Sequence, residues 1–124
     1  GRHTLVADEP ISAGGTDIGF DPYGLLLSSL AACKAMTVRM YADRKGWALE
    51  GMDITMSHKK VKASECDECQ STSGRVDIID AEMVFHGDLD DTQRARLLEI
   101  SERCPVHRSI LSETIIHSRQ AVAA

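Results

Sequence analysis

Aromatic side chains make up only 4% of this 124-residue chain, so its core cannot be built on large rings. Leu, Ile, Val, Met and Ala must fill it, with Trp47, Phe20 and Phe85 as the scarce large pieces. Long apolar runs are missing too. None approaches the roughly 18 residues that would suggest a membrane span, and the N-terminus lacks the charged, apolar and small-residue succession of a secretory signal. A cytoplasmic location is the expectation. Excess positive charge is absent as well: 14 Lys and Arg stand against 19 Asp and Glu, for a formal net charge of -5. Phosphate backbones and anionic lipids call for clustered Lys and Arg, so neither nucleic acid nor membrane is an expected partner.

The 43% hydrophobic content suits one compact domain in a chain too short for two ordinary ones. His3 to Ala7 reads as a short strand, followed by a turn-rich segment, Asp8 to Phe20, with Pro10, Gly14, Gly15 and Gly19. Asp21-Pro22 is a strong helix start, because Asp caps free N–H groups and Pro at the first helical position loses no hydrogen bond. The helix should run to about Lys45, where Gly46 stops it and Arg44 and Lys45 suit the negative end of its dipole.

From Leu49 the period changes to two, with Met52, Ile54 and Met56 on one face and Asp53, Thr55 and Ser57 on the other. Val76 to Phe85 alternates again. The two segments read as an antiparallel pair joined by a long loop, Lys62 to Gly74. Asp90 and Gln93 form a capping pair for a second helix carrying Leu97, Ile100 and Cys104 on one face. Pro105 should break that helix and restart another, which makes Cys104 a helix N-cap. Thr114 to His117 reads as a closing strand, and Gln120 to Ala124 as a frayed tail. These elements amount to a single α+β domain.

Chemistry, if present, rests on the four cysteines: 33, 66, 69 and 104. Cys33 shares a helix face with Leu26, Leu30, Thr37 and Met40, which suits either a small buried hydrophobe or a thiol that the helix presents. Cys104 at a helix N-terminus meets unpaired N–H groups that favour a thiolate, with Arg103, His107 and Arg108 adding polar or cationic neighbours. Cys66-Asp-Glu-Cys69 has the spacing of a redox pair, a local disulfide or half of a zinc site, the last requiring His58 or His86. A plain surface loop stands beside these. Ser28 and Ser29 lack a nucleophile elbow, and Gly14-Gly15 is too weak a signal for phosphate binding.

Three stretches together carry a resemblance: Asp21-Pro-Tyr-Gly-Leu-Leu-Leu-Ser-Ser-Leu-Ala-Ala-Cys33, Met40-Tyr-Ala-Asp-Arg-Lys-Gly-Trp47 and Cys104-Pro-Val-His-Arg108. They resemble the OsmC/Ohr family, osmotically inducible protein C and organic hydroperoxide resistance proteins, over nearly the whole chain. Within it the chain looks most like the OsmC-like branch that occurs alone or fused after an α/β-hydrolase domain. The resemblance implies one OsmC-like domain over residues 1–124, with an antiparallel sheet packed on a long central helix in an intertwined homodimer. No strand precedes the His3 segment, so a domain short of its first strand is the expectation.

The resemblance further implies a thiol-dependent peroxidase with Cys33 as the peroxidatic and Cys104 as the resolving cysteine. Its partners would be an organic hydroperoxide and a dithiol reductant, with no metal and no organic cofactor. Leu26, Leu30 and Met36 would form an apolar wall for the substrate. The family's thiolate is served by an N-terminal Arg held by a Glu. Here Gly24 occupies the Glu position, and Arg2 is the only upstream arginine. A non-enzymatic redox-sensing or apolar-ligand-binding domain is therefore the alternative, and a metal-stabilised module using Cys66 and Cys69 is a third reading.

Overall fold

The computed structural model describes residues 1–122. Helix α1, Pro22–Lys45, begins where the Asp21 carboxylate accepts a hydrogen bond from the Gly24 N–H at 3.0 Å. It ends at Gly46, which adopts the left-handed region at φ 69° and bonds back to the Ala42 and Asp43 carbonyls. Both ends match the sequence reading. The buried face does not: it consists of Leu30, Lys34, Val38, Tyr41 and Ala42. Of the stripe expected from spacing, Leu30 is buried, whereas Leu26 and Met40 are exposed and Cys33 is half-buried. Apolar residues run all round α1, so its pattern does not select a face. What the rest of the chain can cover decides it.

That cover comes from a hairpin and two helices. Strands β1, Ala48–Lys62, and β2, Arg75–Asp88, form a two-stranded antiparallel sheet in which Met52 pairs with Phe85, Ile54 with Met83 and Met56 with Ala81. Alternation turns Met52, Met83 and Phe85 toward the helices. Helix α2, Asp91–Ser101, opens with the expected reciprocal cap: the Gln93 N–H donates to Asp90 at 2.7 Å, and the Asp90 N–H donates to the Gln93 side chain at 2.9 Å. Helix α3, Pro105–Leu111, follows with Pro105 first and Cys104 as its N-cap. The core unites Val38, Tyr41 and Ala42 of α1 with Leu49 and Phe85 of the hairpin, Leu97 and Ile100 of α2, and Leu89 between.

The hairpin's register shifts at a bulge between Leu49 and Gly51, opposite Gly87. Gly87 has φ 137°, and a Cβ there would lie 1.9 Å from the Ala48 carbonyl oxygen. The backbone approach admits no side chain. Gly87→Ala should cost about 2 kcal/mol, through positive φ and the clash, seen as a lower urea midpoint with an unchanged slope. An unshifted midpoint would show that the bulge relaxes freely.

Two expected strands are absent. In the His3 to Ala7 segment only Ala7 pairs, in an isolated parallel bridge with Phe20, and Thr114 to His117 has no regular structure and is exposed. Alternation alone does not make a strand: the segment must also be brought alongside a sheet edge, and neither of these segments pairs with β1 or β2. The turn-rich segment is organised by Asp8, whose carboxylate accepts from the Thr16 hydroxyl and the Glu9, Thr16 and Ile18 N–H groups. The Thr16 hydroxyl chiefly, and the backbone donors with it, bring its pKa down to about 2. Gln120 to Val122 is exposed, and the rest of the expected tail, Ala123 and Ala124, lies outside the described residues. Among the described residues no helix is long and apolar enough to cross a membrane.

Candidate active site

The break between α2 and α3 turns Cys104 toward α1, where it meets Cys33. Both thiols are free, and they lie close enough for each to shift the other's acidity. Cys104 is fully buried, and its Sγ accepts the His107 N–H at 3.2 Å as the cap of α3. The Cys33 sulfur sits on the flank of α1, where the Val106 N–H and the Thr37 hydroxyl lie close enough to favour its charged form. Neighbours in space, the two cysteines are far apart in sequence.

Their environments separate their acidities. Burial pushes Cys33 up, but the Val106 N–H, the Cys104 thiol, the Thr37 hydroxyl and the charge of Lys34 together outweigh it, and its pKa falls below the ordinary thiol value. Cys104 moves the other way. Burial is the main cause, and the Cys33 sulfur adds to it against the opposing His107 N–H and Lys34. The expectation that the N-cap position would make Cys104 the thiolate is thereby corrected, because the buried N-cap sulfur loses more from desolvation than one N–H returns. A second donor from the first turn of α3, the Val106 N–H, acts on Cys33.

Cys33 opens onto a cavity of about 620 Å³. Its wall is Ala32, Met36, Met40, Tyr41, Ile100 and Pro105, with Arg44 and Arg103 also on the lining. An apolar surface with a polarised thiol at one end can accept a small apolar molecule and react with it at sulfur.

The sequence profile of the family described as OsmC-like protein matches residues 14–118. The chain belongs to the OsmC-like family. Several solved structures share its fold. A Psychrobacter arcticus protein, named for osmotic stress induction and detoxification response, is 25% identical with a TM-score of 0.60; the match covers 83% of this chain and 69% of that one. An organic hydroperoxide resistance protein OsmC from Legionella pneumophila is 20% identical, at TM-score 0.61 with 83% and 70% covered. An OsmC-like protein from Mycoplasma pneumoniae is 23% identical, at TM-score 0.57 with 83% and 68% covered. The latter two likenesses speak for the fold alone. No curated protein matches the chain.

In this OsmC-like protein, Met36 lines the Cys33 cavity, whereas Leu26 and Leu30 do not. Leu26 is exposed, and Leu30 lines a second cavity on another side of α1. Arg2 is exposed and does not line the Cys33 cavity, and Gly24 at the N-terminus of α1 supplies no carboxylate. The CxxC cysteines are joined to each other as Cys66–Cys69. Of the histidines considered as their zinc partners, His58 bonds Asp77 and His86 bonds Asp53, both at 2.7 Å. Those contacts replace the zinc-site reading with a local disulfide.

Sequence reasoning missed Lys34. It is 3% exposed, and its ammonium donates to the Ser101 carbonyl at 3.2 Å and contacts His107 Nδ1 at 2.9 Å. His107 Nε2 in turn lies 3.1 Å from Glu102. The signal was its spacing: Lys34 falls midway between Leu30 and Val38 on the stripe that folding buries, where a cation needs a reason to be. Arg44 also lines the Cys33 cavity and lies over the Tyr41 ring at 5.3 Å.

Proposed function

We propose that this chain is a thiol-dependent peroxidase for organic hydroperoxides, with Cys33 as nucleophile and Cys104 as resolving thiol. One observation carries the reading: two free thiols close enough to shift each other's acidity, and in opposite directions, with the more acidic one opening onto an apolar cavity. The Cys33 thiolate attacks the terminal peroxide oxygen, forming S–O as O–O breaks. Sulfur gives up two electrons, and the leaving alkoxide takes a proton to become an alcohol. The Cys104 thiol then attacks the sulfenic sulfur. S–S forms, S–O breaks, and the hydroxide leaves as water with the thiol proton. An external dithiol reduces the disulfide and becomes oxidised in turn.

The apolar wall favours an organic over an aqueous peroxide by partition. A homodimer belongs to this reading as well, supported by the exposed Leu26, Met36 and Met40 of α1 and by Leu5, Val6, Ile115 and Ile116 in the unpaired segments. Reduced protein should consume cumene hydroperoxide with a dithiol donor, releasing one alcohol per peroxide, and should turn over hydrogen peroxide more slowly. Arg2 and Gly24 favour the other reading, a redox-sensing or apolar-ligand-binding domain, since neither brings its expected partner group to Cys33. A single slow oxidation without catalytic turnover would decide for that reading.

A further inference from the structure

Ionising Cys33 creates a negative charge on a half-buried sulfur, and a nearby cation that solvent does not screen adds to what neutral donors supply. Two arginines, Arg44 and Arg103, line its cavity, but both are exposed, where solvent screens them. Lys34, next to Cys33 in α1, is a cation that solvent does not reach, and its ammonium contacts the ring of His107, whose backbone N–H is bonded to the Cys104 sulfur. We propose that Lys34, oriented by His107 and Glu102, is the positioning charge that holds Cys33 as a thiolate. The inference rests on the peroxidase reading only for why a thiolate is wanted, and its test involves no peroxide.

A buried ammonium must be hydrogen-bonded, and Lys34 is, by the Ser101 carbonyl and His107 Nδ1. To accept from an ammonium, Nδ1 must carry no proton, so the ring's proton sits on Nε2 and is donated to Glu102. The exposed carboxylate thus fixes the tautomer, and the tautomer fixes the ammonium. Among the described residues Lys34 has no carboxylate within ion-pair distance. The charged groups sharing its cavity are Glu102, His107, Arg75, Asp77 and Asp80, and Asp77 is already bound by Lys60 and His58. Its charge remains available to the sulfurs, and both cysteines feel it in the direction that favours a thiolate. Because Cys104 starts from deeper burial, the sulfur that ionises is Cys33.

The test is the pH dependence of Cys33 alkylation by iodoacetamide in the reduced full chain, read by mass spectrometry of the modified peptide. Lys34→Gln keeps an N–H donor for the two acceptors but removes the charge. It should raise the alkylation midpoint by about one pH unit, which slows modification about tenfold below the midpoint. Lys34→Arg should leave the midpoint near that of the parent protein, and Arg44→Gln and Arg103→Gln should move it less than Lys34→Gln does. Lys34→Met serves as the uncharged variant if Lys34→Gln does not fold, with circular dichroism as the check. An unmoved midpoint in the uncharged variant overturns the proposal, as does an equal shift in Lys34→Arg, which would reveal a packing role. A peroxide assay on the same proteins tests the peroxidase reading separately, since a shifted midpoint without turnover in the parent would leave Lys34 in place and remove only the peroxide.

Discussion

Cys33→Ser should lower peroxide turnover by at least about 10³-fold while leaving the protein folded. The hydroxyl does not ionise near neutral pH and cannot pass through a sulfenic acid, so both the attack and the condensation with Cys104 are lost. Folding should survive because Cys33 lies beside, not within, the buried stripe of α1, and a hydroxyl can still accept from Val106 N–H and Thr37. The same variant leaves Cys104 as the remaining free thiol, buried and shifted upward. Iodoacetamide labelling at neutral pH should therefore fall along with turnover, under conditions where the parent is labelled at Cys33. Turnover equal to the parent's would remove Cys33 from the chemistry, whatever the labelling showed.

How far the sequence could lead depended on the range of the interactions involved. Local signals were legible: Asp21-Pro22 and Gly46 set the ends of α1, the reciprocal cap at Asp90 and Gln93 opened α2, and Cys104-Pro105 marked the start of α3. Each is decided within a few residues by backbone hydrogen bonds. The face that α1 buries was not legible, because Leu26, Met36 and Met40 are as apolar as the residues that are covered. Misjudging that face kept Lys34, which lies on it, out of the expected site. The contact between Cys33 and Cys104 was unreadable from spacing, and the family motifs supplied it as an expectation. The strands expected at His3 to Ala7 and Thr114 to His117 failed for the same physical reason as the stripe, since alternation names a face but not the neighbour that would pair with it.

Cys104→Ser separates the two half-reactions. Cys104 is fully buried and caps α3 through a sulfur that accepts the His107 N–H. Serine is a preferred N-cap, so stability should stay within about 1 kcal/mol of the parent. The hydroxyl can also donate to the Cys33 sulfur as the thiol does, which keeps part of what lowers the Cys33 pKa. One equivalent of alcohol should therefore appear in a fast burst, after which the sulfenic acid has no partner thiol. Steady turnover should drop by about 10²-fold or more, and the stalled protein should react with dimedone at Cys33. Cys104→Ala removes the cap and the donor together: it should cost about 1 kcal/mol in stability and slow the burst as well, because Cys33 then loses one of the groups that favour its thiolate. A burst preserved in Cys104→Ser and slowed in Cys104→Ala would assign Cys104 two roles, hydrogen-bond donor to the nucleophile before attack and resolving thiol after it. Undiminished steady turnover in Cys104→Ser would instead show that the external dithiol reduces the sulfenic acid directly.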